Sequence, residues 1–171
     1  MTFETLFSAA ELNTIVSEVA TRINNDYEAR DPLFVIVLNG AFFFAADLLK
    51  KVTVPCSMSF VRLKSYTGTA TSGELRELVS LVDDITNRDI VVIEDIVDTG
   101  LTMHWFKLHL LEKGAASVKV VSLLYKPDSL QYEDAQPDYI GRIIPKKFVI
   151  GYGFDLDEQA RNLDAVYALK Q

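Results

Sequence analysis

Residues 33–38, Leu-Phe-Val-Ile-Val-Leu, form an unbroken apolar run, and Ile90-Val91-Val92-Ile93 repeats the pattern further along. A strand with one face in water alternates apolar and polar side chains, whereas a run with no polar face must be covered on both sides. Two such runs predict interior strands of a parallel sheet with helices packed above and below. The segments around them agree. After Leu33–Leu38, Asn39-Gly40 turns the chain and residues 41–51 read as a helix, giving a strand, a turn and a crossover helix. Residues 56–63 alternate as the next strand. Ser8 with Glu11 three residues later is a capping box, and Leu12, Ile15, Val16, Val19 and Ile23 then follow at helical spacing.

The second half continues the alternation. Residues 76–82 and 90–93 read as strands, residues 101–113 as a helix stopped by Gly114, and residues 117–125 and 147–152 as further strands. Residues 64–75, Lys-Ser-Tyr-Thr-Gly-Thr-Ala-Thr-Ser-Gly-Glu-Leu, offer almost nothing to bury and predict a mobile loop. No repeat, low-complexity tract or linker divides the 171 residues, so one α/β domain over 1–171 is expected.

With 17 basic and 24 acidic side chains the net charge is −7, which argues against a surface that tracks nucleic acid. The single cysteine, Cys56, cannot form an internal disulfide and lies in an apolar run, which fits a reducing compartment and a packing role. No basic segment leads into an apolar export signal, and no apolar stretch of about 18 residues offers a membrane span, so the cytoplasm is the expected location.

The segment richest in chemistry is Val91-Val92-Ile93-Glu94-Asp95-Ile96-Val97-Asp98-Thr99-Gly100-Leu101-Thr102-Met103. A buried strand runs into acids, then a small polar loop, then a helix, and ligands of open α/β sheets bind at that edge. Asp98, Thr99, Gly100 and Thr102 can present hydroxyls and backbone N–H groups at a helix N-terminus, where partial positive charge favours a phosphate. The loop has no lysine, which argues against a nucleotide P-loop. Glu94 and Asp95 would repel phosphate unless they met hydroxyls or a metal, and sugar hydroxyls with Mg2+ satisfy that condition. The plainer reading is that these acids cap the following helix.

Residues 91–103 resemble the signature of the phosphoribosyltransferase family: a hydrophobic strand, two acids, two apolar residues, Asp-Thr-Gly, any residue and Thr. The resemblance implies a mainly parallel twisted sheet flanked by helices, a small hood and a mobile active-site loop. It also implies that Asp98, Thr99, Gly100, Leu101 and Thr102 hold the 5′-phosphate of 5-phosphoribosyl 1-pyrophosphate. Glu94 and Asp95 would then engage the ribose hydroxyls directly or through Mg2+, and Asp98 would double as proton acceptor for a purine.

Further segments look like the hypoxanthine-guanine branch of that family. Leu-Leu-Tyr-Lys-Pro carries Lys126, which in that branch donates to the 6-oxo group; a 6-amino purine offers no acceptor there. Lys-Phe-Val-Ile-Gly-Tyr-Gly-Phe-Asp resembles the segment whose aromatic stacks on the base and whose next backbone group reads the 2-position, here Phe148 and Val149. Asp155 matches the aspartate of a second magnesium, and Arg161 the arginine near the pyrophosphate. The alternatives are ordinary ones: a solvated lysine at 126, core strand residues at 148 and 149, and a surface ion pair between 155 and 161. Asn39 stands where the family's pyrophosphate-contacting turn usually has a basic residue, so contact at Asn39 and Gly40 would come from backbone groups. The family often has a cis peptide there. Ser65 and Tyr66 match the loop that closes over its active site, with a plain hairpin loop as the alternative.

The expected activity is therefore a magnesium-dependent transfer of a phosphoribosyl group to hypoxanthine or guanine. Two other readings remain: a catalytically silent nucleotide-sensing regulator on the same fold, and a flavodoxin-like receiver domain, which gives no reason for Lys126 or the Phe148 segment. The resemblance implies a homodimer or homotetramer, and Phe42, Phe43 and Phe44 suit either a subunit contact or the core. His104, Trp105 and His109 carry no assignment.

Overall fold

The computed structural model describes residues 1–65, 75–81 and 83–170. In chain order the elements are β1 (Phe3–Phe7), α1 (Ala9–Asp26), β2 (Leu33–Leu38), α2 (Phe42–Leu49), β3 (Ser57–Ser65), β4 (Leu75–Val79), β5 (Asp89–Val97), α3 (Leu101–Glu112), β6 (Ser117–Tyr125), β7 (Tyr139–Ile143), β8 (Val149–Ile150) and β9 (Val166–Leu169). The main sheet has the order β4-β3-β2-β5-β6-β7. Its five strands from β3 to β7 run parallel, and β4 pairs antiparallel with β3 at the edge. The apolar runs at 33–38 and 90–93 occupy the two central strands and are buried, because each meets helices on both faces.

The two helical layers divide the core. Against one face pack α1 and α2, with Ile15, Val19, Ile23, Phe44 and Leu48 meeting Phe34, Ile36, Val91 and Ile93. Against the other packs α3, with Met103, Phe106 and Leu110 meeting Val35, Val92 and Val120. The capping box that starts α1 is complete: Ser8 N donates to Glu11 Oε2 at 2.8 Å and Glu11 N to Ser8 Oγ at 3.3 Å. A side chain at Gly141 on β7 would strike Leu123 O and Ile15 Cγ2, so glycine lets α1 lie close on the sheet. Among the described residues no helix is long and apolar enough to cross a membrane.

Several boundaries differ from the sequence reading. β5 continues through Glu94 and Asp95 to Val97, because residues 94, 96 and 97 keep pairing with β6. The acids therefore belong to a strand, not to the loop after it. β3 reaches Ser65 and β4 starts at Leu75, so both ends of the predicted loop 64–75 are strand; Tyr66 and the rest of residues 66–74 lie outside the described residues. The predicted strand at 147–152 shrinks to Val149–Ile150, since Gly151 and Tyr152 take positive φ and turn the chain. That short strand joins a separate antiparallel sheet of order β1-β9-β8, the hood implied by the resemblance. Of the three phenylalanines, Phe44 is buried in the core whereas Phe42 and Phe43 are exposed.

Candidate active site

The C-terminal edge of the parallel sheet collects the candidate residues. Glu94 and Asp95 sit near the C-terminal end of β5, lining a cavity of about 170 Å³ that continues along residues 96–103. Asp95 N donates to Glu94 Oε1 at 3.0 Å and Ile96 N to Asp95 Oδ1 at 2.7 Å, so the strand's own amides hold both carboxylates. Burial pushes the Glu94 carboxyl well above its ordinary value, and the neighbouring Asp95 adds to the effect. Burial also raises Asp95, partly opposed by hydrogen bonds and by the charge of Arg161. A buried acid beside a half-buried one is a costly arrangement unless something partners them. Hard carboxylate oxygens at the mouth of a small polar cavity fit a magnesium ion or sugar hydroxyls.

From Val97 the chain turns through Asp98 and Thr99 into Gly100, which has a φ of 81° and starts α3. A Cβ there would lie 2.8 Å from both Leu130 Cδ1 and Ala135 Cβ, so glycine is required by conformation and by space. Gly100 brings no side-chain cap to α3, and Asp98 does not supply one. The capping interpretation of the acids is thus not what the structure shows. Leu101 and Thr102, in the first turn of α3, line the same cavity, and the partial positive charge of a helix start there suits an anion.

Asp98 borders this cavity and a second one. Lys126 Nζ, at the end of β6, lies 3.0 Å from Asp98 Oδ2, with only 12% of the lysine side chain exposed. A buried ammonium set on a carboxylate is not a solvated surface lysine. Partial burial raises the Asp98 carboxyl, but hydrogen bonds from Lys126 and Ser129 and the charges of Lys126 and Lys146 outweigh it and hold the group below its ordinary value. The pair opens onto a cavity of about 410 Å³ that also contains Phe148. Phe148 is 45% exposed there, whereas Val149 is buried on β8 opposite Ala168. The aromatic therefore belongs to the pocket and the valine side chain to the core. Ser129 and Lys146, which line the same pocket, carry no motif; Ser129 becomes visible only once Pro127–Ser129 folds as a 3-10 turn under Asp98.

The turn after β2 arrives from the other side. Leu38–Asn39 is a cis peptide. A Cβ on Gly40 would overlap the Asp95 carboxylate, and one on Gly153 would overlap Gly40 O, so two glycines let the turn, the acid and the hood approach each other. Arg161 Nη1 donates to Gly153 O at 2.8 Å, and its Nη2 lies 2.8 Å from Asp155 Oδ1. Asn39, Gly40, Asp95, Gly153 and Arg161 are thus neighbours, and Asp155 is held as Arg161's ion-pair partner. Among the described residues no three acids, histidines or cysteines form a ready-made metal cage. Ser65 ends β3, while Tyr66 lies outside the described residues.

A parallel sheet with an acid pair in its central strand, a Thr-Gly turn opening the next helix and a small hood sheet is the arrangement of the phosphoribosyltransferase class, and residues 4–159 match the phosphoribosyl transferase domain. The hypoxanthine-guanine phosphoribosyltransferase of Mycobacterium tuberculosis is 36% identical over 171 aligned residues, covering 96% of this chain and 84% of that one. That of Streptococcus thermophilus is 37% identical, covering 97% of this chain and 92% of its own length. A crystal structure of a hypoxanthine phosphoribosyltransferase from Staphylococcus aureus superposes with a TM-score of 0.93 at 33% identity, covering 98% of this chain and 91% of that one. The chain belongs to the hypoxanthine-guanine phosphoribosyltransferase family.

Proposed function

We propose that this protein joins hypoxanthine or guanine to 5-phosphoribosyl 1-pyrophosphate, releasing pyrophosphate and forming IMP or GMP. The observation that carries this reading is the Lys126–Asp98 pair, 3.0 Å apart, at the mouth of the phosphate cradle. A 6-oxopurine presents an acceptor at O6 beside a donor at N7–H. A donor and an acceptor set side by side meet that edge, and a 6-amino purine would place a donor against the ammonium.

In this reading the hydroxyls and amides of Asp98–Thr102 hold the 5′-phosphate, and Glu94 and Asp95 hold the ribose hydroxyls. Glu94 and Asp95 would hold magnesium, with Asp155 as the residue for a second ion, and the metal would supply positive charge against the pyrophosphate. Arg161 and the backbone of Asn39 and Gly40 face the pyrophosphate, the guanidinium fork suiting its paired oxygens. Phe148 stacks on the base and the Val149 backbone reads its 2-position. Purine N9 donates its lone pair to C1 of the ribose as the C1–oxygen bond breaks, and that bond's electrons leave with pyrophosphate. Asp98 takes the N7 proton, a transfer that its ionised state permits. Glu94 and Asp95 face the cationic character growing on the sugar.

A homo-oligomer in the cytoplasm, with exposed Phe42 and Phe43 at a subunit contact, completes the proposal. Its test is steady-state pyrophosphate release from phosphoribosyl pyrophosphate and magnesium with hypoxanthine, guanine, xanthine and adenine offered in parallel. Turnover of hypoxanthine or guanine without adenine is the expected result. Binding without turnover of any base would replace it with the regulator reading.

A further inference from the structure

The connection from β6 to β7 begins at Lys126 and passes directly beneath the phosphate cradle. Gln131 N donates to Thr99 O at 2.9 Å, and Leu130 and Ala135 close around Gly100. The far end of this connection is fastened to α3. His104 Nδ1 lies 2.7 and 2.8 Å from the two carboxylate oxygens of Asp134, and Lys107 Nζ donates to Asp134 O at 2.6 Å. The imidazole also stacks on Tyr132 with ring centroids 4.6 Å apart, and Trp105 packs edge-on to it at 5.1 Å. Because Asp134 offers acceptors on both oxygens, Nδ1 is the nitrogen that carries a proton in this contact. The backbone of His104 is itself part of the cradle's scaffold, its N–H donating to Gly100 O at 2.9 Å.

We propose that His104 and Asp134 are positioning residues: their side-chain contact clamps the first turn of α3 onto the 126–135 connection, fixing the phosphate cradle relative to Lys126. The inference rests on the reading of residues 98–102 as the phosphate cradle. A loop whose amides must meet phosphate oxygens tolerates displacements of only about half an ångström before binding weakens. Gly100 allows the turn but contributes no side chain to hold it, and within the loop Thr99 Oγ1 accepts from Leu101 N at a long 3.4 Å, so firmer constraint comes from outside the loop. His104 and Asp134 are placed to supply it without touching a ligand. Their side chains are 22% and 49% exposed, and ion pairs of that exposure add little to global stability, so their removal leaves the fold intact.

The test compares His104→Phe, which keeps a ring against Tyr132 but removes the hydrogen bond, with Asp134→Ala, Asp134→Asn and the double variant His104→Phe/Asp134→Ala. Three quantities are read: KM for phosphoribosyl pyrophosphate, KM for hypoxanthine, and the calorimetric Kd for phosphoribosyl pyrophosphate with magnesium. For His104→Phe and Asp134→Ala we expect KM and Kd for phosphoribosyl pyrophosphate to rise about five- to twentyfold. KM for hypoxanthine should stay within about twofold and kcat within about threefold, since Lys126 and Ser129 line the base pocket at the end of the connection next to β6, away from Asp134. Asp134→Asn keeps an oxygen that accepts from Nδ1 and should recover most of the loss. The double variant should be no worse than the single ones, because both remove one contact. Unchanged affinity for phosphoribosyl pyrophosphate, equal losses for both substrates, or additive losses in the double variant would overturn the proposal. If the wild type binds phosphoribosyl pyrophosphate but turns over no base, the proposed activity fails, while the Kd values still decide whether the clamp exists.

Discussion

Lys126 Nζ and Asp98 Oδ2, 3.0 Å apart, follow the ends of two neighbouring parallel strands: Asp98 comes just after β5 and Lys126 just after the adjacent β6. Parallel pairing of the two strands sets both residues at the same sheet edge, where each decides the other's chemistry. The lysine holds the carboxyl below its ordinary value, and the carboxylate fixes the ammonium at the mouth of the pocket; in the proposed function that places it for a base oxygen.

Replacing Lys126 with Met should therefore do two separable things. Loss of a charged hydrogen bond to O6 lowers kcat/KM for hypoxanthine about ten- to a hundredfold and narrows the gap to adenine. The second effect is on pH. Lys126 lowers the Asp98 pKa, so its removal raises it, and the acid limb of kcat/KM moves to higher pH. For stability the sign follows the same direction. A depressed carboxyl contributes stability that is present above its unfolded pKa, near the ordinary 3.8, and is lost as pH falls through the lower folded value. The variant should lose that contribution. An acid limb unmoved in Lys126→Met would contradict the coupling.

Asp98→Asn keeps the shape and removes the proton acceptor. Turnover of hypoxanthine should fall about a hundredfold or more, with the affinity for phosphoribosyl pyrophosphate kept within a few fold because the cradle's amides remain. Single-turnover kinetics separate the two. Unchanged chemistry in the variant would remove Asp98 from the proton transfer.

Much of this was legible in the residue order, and for definite reasons. The apolar runs at 33–38 and 90–93 have no polar face, so their central positions in the sheet follow from burial alone. Ser8 and Glu11 announce the start of α1 because capping is local. The acids, Thr99, Gly100 and Thr102 lie within nine residues of one another, and their site is contiguous in sequence. What could not be read depends on distant partners. β9 pairs with β1 on one side and β8 on the other, and strands this short carry too little periodicity to stand out. Ser129 and Lys146 enter the pocket through the folding of the connections after β6 and β7. His104 looked like an ordinary helix residue because its partner, Asp134, lies thirty positions away in the chain.

Glu94 offers a prediction in which function and stability oppose each other. It is 9% exposed, with its carboxyl pushed up by burial and by Asp95. Glu94→Gln removes a buried acid without changing the side chain's shape. At neutral pH and without ligand, the variant should be more stable by about 1–2 kcal/mol, or roughly 2–8 °C in Tm. It should also lose affinity for phosphoribosyl pyrophosphate by at least about tenfold, since a neutral amide is a poor partner for a cation and a poor acceptor for hydroxyls. Scanning calorimetry with and without phosphoribosyl pyrophosphate and magnesium reads both. A variant that is less stable than the wild type without ligand would show that the acid is already well partnered.

Gly40 is the point where three parts of the site meet. Its Cα faces the Asp95 carboxylate, and its carbonyl is covered by Gly153, whose own oxygen is held by Arg161. A methyl group at position 40 cannot be accommodated by rotating a surface side chain, because Asp95 is fixed by the Ile96 amide at 2.7 Å and lies in the central strand. Either Asp95 leaves its place or the Asn39–Gly40 turn moves away from the hood. The overpacking should cost about 1–3 kcal/mol of stability. In the first case the affinity for phosphoribosyl pyrophosphate falls through the ribose and metal contacts; in the second it falls through the pyrophosphate contacts. Gly40→Ala should therefore lower kcat/KM for phosphoribosyl pyrophosphate at least about thirtyfold while the affinity for a nucleoside monophosphate, which lacks pyrophosphate, distinguishes the cases. Weakened nucleotide binding points to a displaced Asp95, and preserved nucleotide binding points to a displaced turn. Full activity in the variant would mean that the close approach of Gly40 to Asp95 is not used by the site.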